Sequence, residues 1–181
     1  MKQKSHKAMG RFLLKAYFPE LPGHCAKLYL LGCIQPDGNP ATYLKGSIRS
    51  HWFRGHNFSN AAPFLFRLAK RLEEKERYSL WDYYSLGKLT HYLLDAFTYA
   101  HNDHFGKNIR SHRAYEIKLQ GYFLKRLQLH PAEEMNLPGT AAEIIRKLHD
   151  QYLLSPGSRE RDTEFALTAC CAVMEKLARP I

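Results

Sequence analysis

The chain has no CxxC pair. Its four cysteines, Cys25, Cys33, Cys170 and Cys171, stand at no spacing that a thiolate zinc site needs. Adjacent Cys170 and Cys171 cannot bond each other without strain. All four read as small apolar core residues with reduced thiols. No apolar run is long enough to span a membrane, and the first ten residues hold no apolar segment of a secretory signal. Phe12-Leu13-Leu14 is short and is followed at once by Lys15. The expected location is the cytoplasm, or outside the cell if an export signal has been removed. No internal repeat, low-complexity tract or linker divides the sequence, so residues 1–181 are read as one domain, long enough for a sizeable core. Acidic residues are few: 17 Asp and Glu stand against 27 Lys and Arg, a formal charge of +10. Such a balance suits anionic partners, an acidic lipid surface or a nucleic acid, and is equally well explained by solubility alone.

Alternating strand patterns are rare, while apolar residues recur at spacings of three and four, so the expected class is all-α. The pattern predicts helices over residues 5–17, 24–31, 60–75, 79–100, 108–129, 140–154 and 161–177, with residues 32–46 an irregular Gly/Pro loop. Trp52, Phe53, Trp81, Tyr83 and Tyr84 could meet lipid, although aromatics at this density are more often core.

Histidine is plentiful, at ten residues. Five potential metal ligands fall within 26 residues, and four of them form the pairs His91/Asp95 and His112/Glu116. Residues four apart lie one above the other on a helix, so each pair can close on one ion. His101 is ten residues after His91; on a continuous helix it would stand about 80° away and ~15 Å along the axis. It therefore joins His112 and Glu116 more readily than His91. The first pair needs a further ligand, and Asp37, His51 and His6 are the upstream candidates. Imidazole and carboxylate donors with room for water suit zinc. A single such pair also arises as a plain helix-surface contact. Two pairs with a histidine between them weigh against that reading.

These residues resemble the zinc-dependent phospholipase C family. The resemblance rests on Leu86-Gly87 followed by His91-Tyr92-Leu93, Asp95 and His101, and on His112-Arg-Ala-Tyr115-Glu116. Asp37 with His51-Trp52-Phe53 and the early Ser5-His6 extend it over residues 5–120. It implies an all-α fold with up to three zinc ions in one cleft. His51, His91 and Asp95 would form one site, and His101, His112 and Glu116 a second. His6 and Asp37 would form a third, with Asp95 bridging to the first. It further implies phosphodiester hydrolysis by zinc-activated water with a glycerophospholipid as substrate; Asp37, on the most open of these sites, is the candidate general base, with pure ligation as its alternative role. Secreted members complete the third site with a free amino terminus; here Met1 lies five residues before His6. The family's proline before the histidine that is here His101 is replaced by Ala100. His56 is a spare that could replace His51, and His104 a possible substrate contact. Two other readings stand beside the phospholipase. A nuclease of the same tri-zinc fold suits the charge, but such enzymes usually end the second site with histidine and aspartate. A non-catalytic metal-binding relative is the third.

Overall fold

The computed structural model describes residues 1–38, 57–103, 109–131 and 134–178. His51, His56, His104, Trp52 and Phe53 lie outside the described residues. Among those described there are seven α-helices and no strand: α1 (Gln3–Tyr17), α2 (Gly23–Gly38), α3 (Phe58–Glu73), α4 (Leu80–Ala96), α5 (Ile109–Leu129), α6 (Ala141–Leu153) and α7 (Arg159–Leu177), with a 3₁₀ turn at Tyr99–His101. The all-α expectation is met. No helix among the described residues is long and apolar enough to cross a membrane.

Local chemistry sets several helix starts. Asn57 accepts the Ser59 N–H and opens α3. At α4 the Ser79 N–H and hydroxyl both donate to Asp82, and at α6 Thr140 and Glu143 close the same kind of box.

The centre is α4. Every residue from Leu89 to Ala96 is buried, including His91 and Asp95, because the other helices pack around it. The closest approach is to α2, where Gly32 meets Gly87. A Cβ on Gly32 would overlap the Tyr84 carbonyl oxygen, and one on Gly87 the Tyr29 carbonyl oxygen. The Tyr29 hydroxyl and Thr90 hydroxyl hydrogen-bond across the same contact at 2.9 Å. All four cysteines are buried free thiols, and burial pushes Cys33 up to about 12.

Two expectations need correction. The short second helix at 24–31 continues to Gly38, so residues 32–38 of the expected loop are helical; residues 39–46 lie outside the described residues. Pro36 falls in the last turn of α2, where few further backbone bonds depend on it. The helix expected over 79–100 stops at Ala96. Side chains take over the carbonyls that a continuing helix would use: the Thr98 hydroxyl donates to Leu94 O, and the Asn102 amide donates to Ala96 O and Thr98 O. The chain then turns sharply, and His101 comes back toward Asp95 rather than travelling on down the axis.

Candidate metal centre

Three elements meet at the C-terminal half of α4. His6 comes from α1, Asp37 from the end of α2, and His91 and Asp95 from α4 itself. One donor atom from each of these four lies within 4.8 Å of the others. The stacked rings of His6 and His91, 4.0 Å between centroids, present their Nε2 atoms on the same side. Nε2 of His91 stands 3.2 Å from Asp95 Oδ2 and 3.7 Å from Asp37 Oδ1. Nε2 of His6 stands 3.3 Å from Asp95 Oδ1 and 4.0 Å from Asp37 Oδ2.

A second group adjoins the first. His101 on the 3₁₀ turn joins His112 and Glu116 on α5, again within 4.8 Å. His101 Nε2 lies 3.2 Å from Glu116 Oε1, and His112 Nδ1 lies 3.6 Å from Glu116 Oε2. Asp95 connects the groups, since its Oδ1 is 3.7 Å from His101 Nε2. The helix stop at Ala96 makes this possible. His101 groups with His112 and Glu116 and not with His91, while the Asp95 carboxylate faces both histidines.

The amino group of Met1 sits between the groups. It lies 2.5 Å from Asp95 Oδ1, 2.9 Å from His101 Nε2 and 3.1 Å from Glu116 Oε1. Burial alone would lower this amine, but Asp95 and Glu116 outweigh that and raise it, so a positive charge is favoured there. Burial would likewise raise the Asp95 carboxyl, yet His101, the amine, His91 and His6 hold it well below the usual range. Glu116 is depressed in the same manner by His101 and the amine, against its burial. Burial pushes His6 and His112 down to about 4, helped by the neighbouring imidazoles His91 and His101 respectively.

These donors fit zinc. His91 Nδ1 is 2.9 Å from the Cys33 carbonyl oxygen, which can only accept, so Nδ1 carries the proton. That leaves Nε2 as the atom facing the carboxylate oxygens of Asp37 and Asp95, the geometry a metal-bound imidazole needs. Imidazole nitrogen and carboxylate oxygen are the donor types zinc takes, and the Met1 ammonium shows that positive charge is at home between Asp95 and Glu116. The members differ in access. Asp95 is 1 % exposed, whereas the side chains of Asp37 and His112 are 24 % and 31 % exposed. Asp37 and His112 are thus the more accessible members of their groups.

Several contributors left no mark in residue spacing. The Cys33 carbonyl is a backbone group, which carries no residue-type signature, and the Met1 amine is signalled only by the resemblance, through the free amino terminus that secreted members use. Asn102 and Asp162, which anchor the His101 turn, lie in parts of the sequence that read only as a polar turn and a helix start.

Comparison with known proteins adds one finding. A family model described as zinc dependent phospholipase C matches residues 5–172. No curated protein and no solved structure matches the chain.

Proposed function

The chain belongs to the zinc-dependent phospholipase C family, and on that footing we propose that it hydrolyses a phosphodiester bond of a glycerophospholipid. The observation that carries the proposal is the pair of adjoining His/carboxylate groups facing the shared Asp95. In this reading His6, Asp37, His91 and Asp95 hold zinc in one group, and His101, His112 and Glu116 hold it in the other. His51 is a further candidate ligand. The count is two to three ions per chain.

Zinc bound here would lower the pKa of a bound water toward neutrality and neutralise charge on a phosphoryl oxygen. The chain's own residues divide the remaining work by exposure. Asp95 is sealed from substrate, so it orients neighbouring groups and balances their charge. Asp37 is the exposed carboxylate of its group, so it is the candidate to accept a proton from the attacking water. The carbonyl of Cys33 fixes the tautomer of His91. The fixed side chains align the reacting atoms before attack, which lowers the entropic part of the barrier.

An anionic membrane surface is the proposed setting. The supporting features are the +10 charge and an exposed pair at the start of α4, Trp81 at 71 % and Leu80 at 47 % exposure. Tyr83, by contrast, is buried and belongs to the core.

The test is a side-by-side assay of the zinc-loaded chain on a phosphatidylcholine analogue and on single-stranded DNA. Release of a phosphomonoester from the lipid alone supports the proposal. Cleavage of DNA alone makes the protein a nuclease, and turnover of neither makes it a non-catalytic relative.

A further inference from the structure

We propose that Asp162 is a positioning residue for the second group, holding the turn that carries His101 against the helix that carries His112 and Glu116. The inference rests on reading that group as a zinc site.

Asp162 lies in the first turn of α7 and is fully buried. Its Oδ2 accepts the Tyr99 backbone N–H at 2.8 Å and the Tyr115 hydroxyl at 2.9 Å. Its Oδ1 accepts the Tyr152 hydroxyl at 2.7 Å. Tyr99 is the first residue of the 3₁₀ turn that ends at His101. Tyr115 is the residue before Glu116 and the third after His112 on α5. One carboxylate oxygen therefore ties together the two elements that bring the second group's donors.

Chemistry favours a carboxylate at this point. Three donors converge on it, and an ionised acid can accept all three with charge-assisted bonds. The Tyr99 N–H opens a helical turn, a position whose donor is ordinarily satisfied from outside the helix, and Asp162 accepts it. Packing closes the same turn from outside. The Tyr99 and Tyr115 rings meet edge-on at 6.0 Å, and a Cβ on Gly157, just ahead of α7, would overlap the Tyr99 ring. From α6, His149 Nε2 donates to Asn102 Oδ1 at 3.0 Å, while the Asn102 amide binds the Ala96 and Thr98 carbonyls. The C-terminal third of the chain supplies no ligand of its own among the described residues, yet it fixes where His101 stands.

The separation of the two tyrosines makes the inference testable. Tyr115 links Asp162 to a ligand-bearing helix; Tyr152 links it to α6, which bears none of the proposed ligands. Zinc affinity of the full chain is measured by titration against a competing chelator. The binding step that disappears in H112A identifies the second group. Asp162→Ala should weaken that step by about 10–100-fold and leave the other step unchanged. Tyr115→Phe should weaken it severalfold, and Tyr152→Phe should leave it within about twofold. Equal zinc affinity in Tyr115→Phe and Tyr152→Phe overturns the inference, even where Asp162→Ala fails to fold. Absence of the step from the unmodified chain overturns the zinc reading of this group and the inference together.

Discussion

Gly87 and Gly32 meet backbone to backbone where α4 crosses α2, and neither position has room for a Cβ. The closeness seats the Cys33 carbonyl 2.9 Å from His91 Nδ1 and brings Asp37, beyond it on α2, to His91 Nε2. A packing detail thus fixes both the tautomer of one candidate ligand and the position of another. Replacing Gly87 by Ala forces the helices apart. We expect destabilisation of about 3 kcal/mol or more, read as a loss of cooperative thermal unfolding by circular dichroism. Retention of the unmodified melting temperature would mean that the crossing is looser than described.

The zinc-free protein should lose stability as pH falls from 6.5 toward 4. His149 is buried among Phe58, Phe97 and Tyr152, and burial pushes it down to about 4 from 6.5. A depressed histidine contributes stability above its unfolded value, and this is lost as pH falls through the folded value. His6 and His112 act in the same direction. Asp162 opposes them: burial raises it to about 6, so its contribution is present at low pH and lost as pH rises through that value. His149→Gln should flatten the fall in urea midpoint between pH 7 and pH 4.5. An unchanged slope would show that His149 is not neutral in the fold.

Trp81 supplies a test of the proposed membrane setting. Trp81→Ala should lower binding to phosphatidylglycerol vesicles by about three- to tenfold. Hydrolysis of a short-chain soluble phospholipid should be unchanged, because position 81 lies ten residues before His91 on α4. Equal vesicle binding by both proteins would remove Trp81 from the lipid contact.

Much of this architecture was legible in sequence, for physical reasons. Apolar spacing of three and four gave the helical class, because burial of one face repeats with the turn. The pairs His91/Asp95 and His112/Glu116 were visible because four residues return a side chain to the same face. Their mutual arrangement was not. Nothing in a period of 3.6 announces that Thr98 and Asn102 side chains will take over the carbonyls of α4 and turn the chain back at His101. Asp37 read as a loop acid because Pro36 and Gly38 flank it, whereas the last turn of α2 tolerates both. Asp162 resembled any acid in a first helical turn, and only tertiary packing brings Tyr99, Tyr115 and Tyr152 to it.

The measurement closest to the central claim is elemental analysis of the purified chain beside H91A and H112A. Two to three zinc ions per chain are expected, with loss of the first group's zinc in H91A and of the second group's in H112A. Less than one ion in the unmodified protein, or the same content in all three, would contradict the account.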